Sequence, residues 1–453
     1  MSKRDAYEKP YDETGIIETD KGTVQFVALD HRFTFMSPYA YEYMGRNDPI
    51  CLRPDEYGFL HGMTHNGHEI AIYVSTEFYL MPVRVVRTYL YIISDGNMEM
   101  SGLDGFIGIQ FEGGVLSRLY LQELSGIKYE PNQFAIERKR DTVSIEYVNK
   151  ELLDRIELER NICGTISRTK GIRIGHGHPQ LTILTGREER LGSFPKYYQT
   201  VLTMCQFMSF RENVGFKKIL LLRHNDNVGF PTSYATCYIR KNYTSTRKDE
   251  SRFITFKELG SSIEKLYEMI AINEENHATY NVNFLPESDA NVFRIDNSKI
   301  RRVCSAVESE LDLSEIDFKT DKNLQELIAQ IRGLIREHRK GEHRLSDGTY
   351  DVIQGNIRHW DKPLAEKIMA LKEKHHNELE LLRKKYHTDL TEKMIREFVK
   401  YRNDITHGIY GILTKEVWVA SIFLMALVYC SVLSRIGMEP EMIKEIMDRG
   451  FIS

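Results

Sequence analysis

The apolar residues of this chain keep one period up to about residue 250 and another from about residue 253 onward, and that change limits the fold more than any other feature. Before it, "HEIAIYVS" alternates Ile70, Ile72 and Val74 with polar or small neighbours. "GFIGIQF" does the same with Ile107, Ile109 and Phe111, and "DTVSIEYV" with Val143, Ile145 and Tyr147. A period of two belongs to a strand with one buried face. Asp20-Lys21-Gly22, Asn66-Gly67, Asp95-Gly96 and Gly113-Gly114 supply turn signals. Many short strands punctuated in this way predict a sandwich or barrel. One helix interrupts them, in "SFPKYYQTVLTMCQFMSF". There Ser193 is placed to cap, Pro195 suits the first turn, and Tyr198, Val201, Leu202, Cys205 and Met208 form an apolar stripe.

Past the change, "FKELGSSIEKLYEMIA" reads as helix and "NEENHATYNVNFLPESDANV" as a linker. Helical segments follow: "NSKIRRVCSAVESEL", "KNLQELIAQIRGLIREH", "KPLAEKIMALKEKHHNELELL" and "TEKMIREFVKYRNDITH", then a long apolar run closed by Gly437 and Pro440. The chain is therefore expected to be α+β. A β-rich, sandwich- or barrel-like domain spans 1–250, a helix and linker 251–295, and an all-α bundle 296–453. The apolar run, Val417 to Leu433, carries no charge but is near the short end for a membrane span and lacks basic or aromatic flanks. It is expected to be a buried core helix, with no membrane partner.

The formal charge of -4 implies no global attraction to nucleic acid, so any such contact must come from a local patch. Six scattered cysteines without a Cys-x-x-Cys pair suit reduced thiols and a cytoplasmic setting, not a disulfide frame or thiolate zinc site. "MSKRDAYEKPYDETG" has no apolar core, so no secretory signal is expected.

The stretch "YRNDITHG", 401–408, is the most informative one. Asp389 and Glu392 in "DLTE" resemble a capping box, which starts this helix near residue 390. Its apolar residues are Ile395, Phe398, Val399, Ile405 and Ile409, and at about 100° per residue Arg402 falls within their stripe. A guanidinium there needs an anion or a dense set of acceptors. Asn403 and His407, four apart, share a neighbouring face, and Gly408 lets the helix end.

Arg402, Asn403 and His407, with the following glycine, resemble the motif of HEPN domains, and the likeness extends over about 296–453. A β-rich front half joined to such a domain resembles the ApeA-type abortive-infection proteins of bacterial phage defence. The resemblance implies a homodimer that brings two motifs together and cuts RNA without metal or other cofactor, tRNA being among the candidate targets. It also implies a phage-derived trigger at the β-rich domain. The residue types fit that chemistry. The ribose 2′-hydroxyl is the nucleophile, a histidine titrating near neutrality moves protons, and a fixed guanidinium stabilises the phosphorane charge. Asn403 would orient the histidine or a phosphate oxygen.

Arg383, Lys384, Lys385, Lys393 and Lys400 form the best candidate RNA-steering patch, although Glu373, Glu378 and Glu380 interleave with the basic stretch and a solvated helix face accounts for it as well. Arg332 and His338 in "RGLIREH" fall within the spacing that the HEPN family tolerates but lack the asparagine and glycine, and a basic solvated face explains them. His61, His65 and His68, with His176 and His178, offer imidazoles for zinc, but Asn66-Gly67 reads as a hairpin turn that sends the first three to different faces. Two alternatives stay open: a HEPN-fold module that dimerises or binds RNA without cutting it, and a ligand- or carbohydrate-binding activity in the β-rich half.

Overall fold

The computed structural model describes residues 13–45, 48–95, 102–119, 125–130, 133–138, 140–146, 153–160, 164–167, 171–174, 179–225, 227, 229–240, 254–276, 280–288, 291–313, 322–340, 345–358, 364–409 and 411–452. The chain divides into two compact units, residues 1–209 with 213–247 and 254–277, and residues 278–453 with 210–212 and 248–253. The first is built on a large antiparallel sheet and the second is helical, so the fold is α+β.

The strands of the first unit are β1 (Glu13–Thr19), β2 (Gly22–Leu29), β3 (Arg32–Met36), β4 (Cys51–Leu52), β5 (Phe59–Thr64), β6 (Glu69–Tyr73), β7 (Phe78–Tyr79), β8 (Val83–Arg87), β9 (Leu90–Ser94) and β10 (Gly105–Glu112). They continue as β11 (Ser125–Glu130), β12 (Gln133–Arg138), β13 (Arg140–Glu146), β14 (Leu153–Arg160), β15 (Gly164–Ser167), β16 (Gly171–Ile174), β17 (Pro179–Arg190), β18 (Lys218–Asn225) and β19 (Phe230–Ile239). Thirteen of them form one sheet in the order β13-β14-β17-β10-β18-β19-β9-β6-β5-β1-β2-β3-β8. The helices of this unit are α1 (Ala40–Gly45), α2 (Leu116–Leu119), α3 (Phe194–Met208), α4 (Phe256–Leu259) and α5 (Ser262–Glu275).

The last seven strands of that order, β9 through β8, curl into a barrel. β8 pairs with β3 and β9 pairs with β6, and only Thr88 and Tyr89 separate β8 from β9. The two are one bent strand that closes the circuit β3-β2-β1-β5-β6. Val86 on β8 and Tyr91 and Ile93 on β9 face the same core, although an even and an odd position of a regular strand point to opposite faces. The strand therefore changes phase at the bend. Buried Thr88 holds it there: its hydroxyl lies 2.6 Å from the Tyr73 carbonyl and 2.7 Å from that of Leu90, and accepts the Leu90 N–H at 3.2 Å. Phe26, Phe33, Phe35, Ile70 and Ile72 fill the interior.

The Asn66-Gly67 signal is a hairpin turn, with Gly67 at φ 79° and its N–H on the Thr64 carbonyl. Gly113 and Gly114 both have positive φ, and a Cβ on Gly114 would stand 2.1 Å from the Gly215 carbonyl oxygen. Gly96 and the side chains of Val143, Ile145 and Tyr147 lie outside the described residues. In β10 the expected Ile107-Ile109-Phe111 alternation fails. The register against β17 shifts between Phe106 and Gly108, so Phe106 joins Ile109 and Phe111 in the core and Ile107 is half-buried. On α3 the buried stripe centres on Tyr197, Val201, Met204 and Cys205. Ser193 makes no cap there, and its hydroxyl donates to Glu189 instead (2.8 Å).

In the second unit α6 (Tyr280–Asn283) precedes α7 (Asn297–Leu313), α8 (Lys322–Lys340), α9 (Asp347–Arg358), α10 (Leu364–Lys374), α11 (Glu380–Tyr386), α12 (Glu392–Thr406), α13 (Lys415–Arg435) and α14 (Pro440–Ile452). The stretch expected as linker carries α6, and Asn281, Val282, Phe284 and Leu285 in it are buried. The apolar run is α13. It has the length and hydropathy of a membrane span, yet Val419 through Leu433 are all buried inside this unit, packed against α7 and α12. Thr414 caps it, accepting the Val417 N–H at 3.3 Å. Gly437, at φ 86°, ends it, and the Met438 N–H returns to the Leu433 carbonyl at 3.1 Å. Pro440 opens α14.

Charged side chains buried in this unit include Glu310 and Lys299. Glu310 is fully buried, accepts from Arg435 (2.7 Å) and takes the Ser431 hydroxyl (2.9 Å). Lys299 is also buried, with its ammonium on the Leu285 carbonyl, and burial, helped by neighbouring Arg302, lowers its pKa to about 7. The unfolded chain then holds a proton between about pH 7 and pH 10.5 that the folded chain has lost, so stability rises with pH across that window. Denaturant titrations of the full chain are expected to show this rise, and Lys299→Met is expected to flatten it. A flat wild-type profile would mean the ammonium is solvated as in the unfolded chain.

Candidate functional site

The motif lies on α12, whose start and end are both set by side chains next to it. Thr391, not the expected Asp389, is the cap, accepting the Met394 N–H at 3.3 Å. Asp389 is engaged by Lys372 at 2.6 Å and by the Leu390 N–H at 2.8 Å. At the other end His407 is the C-cap and Gly408 follows at φ 80°. The Ile409 N–H turns back to the Asp404 carbonyl at 2.8 Å, which closes the helix as a left-handed glycine turn does.

Met394, Ile395, Phe398 and Ile405 form the buried face. Ile409 was expected on it and is 61% exposed, because the helical period stops at His407. Arg402 does lie on the inward side. Its guanidinium reaches α7, where it pairs with the Glu308 carboxylate and donates from Nε to the Cys304 thiol (3.1 Å). Burial by itself would lower the Arg402 pKa, but the bonds to Cys304 and Glu308 outweigh it and raise it, so the group stays charged. The Cys304 thiol is pushed up to about 11 by burial and by the Glu308 carboxylate, which keeps it protonated. With the Arg402 side chain 25% exposed, the pair is screened and contributes on the order of 0–1 kcal/mol.

The third guanidinium nitrogen, Nη1, donates to the Asn403 amide oxygen at 3.1 Å. Asn403 and His407 are both exposed. At about 100° per residue Lys393, Arg396, Lys400, Asn403 and His407 fall on one solvent face, and Arg402 lies about 140° from His407. The motif is thus split. Arg402 is anchored inward and touches the outer face only through Asn403, while His407 stands on that face with no hydrogen bond to its ring among the described residues. Cys304 and Glu308, i and i+4 on α7, leave no signal in the sequence beyond that spacing.

Most of the expected basic patch is already paired. Lys384 holds Glu380 at 2.6 Å, and Lys444 holds the same carboxylate at 2.7 Å. Those two ammonium groups lower the Glu380 pKa to about 2. Lys385 donates to the Phe451 carbonyl (2.9 Å) and sits over the Phe293 ring, and Arg383 contacts His376. On α12 Lys393 lies 3.9 Å from Glu397, and Arg396 pairs with Glu392. Lys400 makes no ion pair among the described residues and shares its face with Lys393, Arg396 and His407, of which Lys393 and Arg396 are paired. The rival Arg332 and His338 lie on α8, half-buried and exposed.

His61 is bound to Asp55 at 2.9 Å on β5, while His65 and His68 belong to the hairpin turn. Among the described residues no three His, Cys, Asp or Glu side chains converge on a point that could hold a metal. His176 and His178 lie outside the described residues. No family model, curated protein or solved structure matches this chain.

Proposed function

We propose that this protein is a metal-independent RNA endonuclease of the HEPN type, acting in anti-phage abortive infection from the cytoplasm, with its β-rich unit as the sensor. The observation that carries the reading is the solvent face of α12, where Lys400, Asn403 and the unbonded His407 ring stand in one row and Asn403 is held by Arg402. His407 takes the 2′-hydroxyl proton, the 2′-oxygen attacks the adjacent phosphorus to close a 2′,3′-cyclic phosphate, and the P–O5′ bond breaks as an acid gives the leaving 5′-oxygen its proton. Lys400 draws the phosphate in, and Asn403, polarised by the guanidinium, hydrogen-bonds its oxygens. One chain offers one histidine, whereas the reaction needs a base and an acid. A second copy packed across Ile409 and Ile412, 61% and 91% exposed, supplies the other.

The inward Arg402–Glu308 pair favours a second reading, in which the arginine only fastens α12 to α7 and the module binds RNA without cutting it. Cleavage assays with the full chain separate the two. The nuclease cuts RNA in EDTA, leaves a 2′,3′-cyclic phosphate, and spares substrates carrying 2′-deoxy or 2′-methoxy at the cut site. Cutting of DNA, or loss of cutting in EDTA, would overturn the mechanism. RNA binding with no cleavage by the dimer selects the second reading.

A further inference from the structure

The bend at Thr88 leaves one edge of the barrel open. Beyond Tyr73 the chain of β6 no longer pairs with the bent strand, and among the described residues β8 has β3 as its single neighbour. The Thr88 N–H bonds the His31 carbonyl at 3.0 Å, so by strand alternation Arg84 and Val86 also turn their backbone groups to β3. The N–H and C=O groups of Val83, Val85 and Arg87 consequently face the gap, in the direction where β6 would lie.

That gap is a cleft of about 210 Å³ between Tyr73–Thr76 and Arg84–Tyr89. It is too small for a nucleotide or other drug-sized ligand, which takes roughly 300–1,000 Å³, but an extended backbone fits a slot between two strands. Val83 and Val85 on this edge are exposed, as is Met81 before them. Natural sheet edges are normally blunted by charge, a proline, a bulge or a covering loop, and here Pro82 and the arginines of β8 serve against a neutral or basic strand but not against an acidic one.

The charges indicate what covers it. Arg84 and Arg87 make no ion pair among the described residues, and neither does Arg32. Arg32 sits directly opposite Arg87 across the β3–β8 pairing, an arrangement that is destabilising unless an anion lies between the two guanidiniums. A second copy added through β8 would bring two more arginines and no acid. A partner strand with alternating carboxylates relieves the repulsion.

We propose that β8 accepts an extended acidic segment of a partner protein, which adds as a strand between β8 and the end of β6 and places its carboxylates on Arg87 and Arg32, the outward face of the pairing. The site belongs to the sheet unit and is independent of the reading given to α12. The probe is a short fluorescein-labelled peptide alternating valine and glutamate, followed by fluorescence anisotropy with the full chain. Saturable binding is expected. Methylating alternate backbone nitrogens of the peptide weakens it about tenfold or more, because the ladder bonds are lost while the charges stay. The double variant Arg32→Glu/Arg87→Glu loses this peptide and gains the valine–lysine one, a gain that an unfolded variant could not show. Equal affinity for methylated and unmethylated peptides, indifference to the charge reversal, or no binding by the wild-type chain overturns the proposal. Self-association of the wild type that Val85→Glu abolishes would put a second copy on this edge and overturn it as well.

Discussion

His407→Ala is expected to lower RNA cleavage by the full chain about a hundredfold or more, in the range of general acid–base catalysis, with an unfolding profile like that of the wild type. The two halves of this expectation have separate grounds. The ring is exposed at a helix end and has no hydrogen bond among the described residues, so its removal costs little stability, within about 0.5 kcal/mol. Across a dimer its removal deletes base and acid together, which is why the loss exceeds that of a binding residue such as Lys400. Quantifying cleaved RNA under single-turnover conditions is the measurement, alongside a thermal melt. Unchanged cleavage would remove His407 from the chemistry. A collapse of the melt would place the histidine in the fold instead, with the same consequence for the mechanism.

Glu310→Ala is expected to destabilise the helical unit by about 1–3 kcal/mol, the cost of leaving a partly buried guanidinium and a buried hydroxyl without their acceptor. Arg435 would lose its carboxylate and Ser431 its acceptor, within the packing of α7 on α13. Replacing both charges, as Glu310→Leu with Arg435→Met, should recover most of the loss, since apolar side chains of similar volume avoid the desolvation cost. Equilibrium denaturation of the three chains tests this. If the double variant is no more stable than the single one, the pair contributes through attraction and not through the penalty for breaking it.

Several of these features were legible in the residues alone. The change of period marks the passage from sheet to helices, and the uncharged run announces the buried α13 because no other helix among the described residues has an apolar circumference. Arg402 could be placed on the inward face by counting from Ile395 and Phe398. Its partner could not, since Glu308 and Cys304 lie far back in the sequence and reach it only through helix packing. Ile409 was misplaced because a periodic count runs on through Gly408, where the backbone turns left-handed. The closure of the barrel escaped for a similar reason. A phase shift at one threonine has no signature in an alternation pattern, and the bulge in β10 likewise erased the pattern it interrupted.

Phe210 bears on how the molecule can be taken apart. It lies in sequence just after α3, holds a left-handed backbone at φ 48°, and is counted with the helical unit, its ring against Tyr429 (4.9 Å), Phe451 (4.7 Å) and Phe284 (6.5 Å). Glu212, two residues on, binds Arg302 at 2.6 Å. A recombinant fragment starting at residue 278 would therefore be missing a plug: three aromatic rings would line a void, and Arg302 would lose its carboxylate. Dissecting the chain at its apparent border yields a weakened bundle. A poor yield from such a fragment would report this missing aromatic and not the absence of an autonomous helical fold.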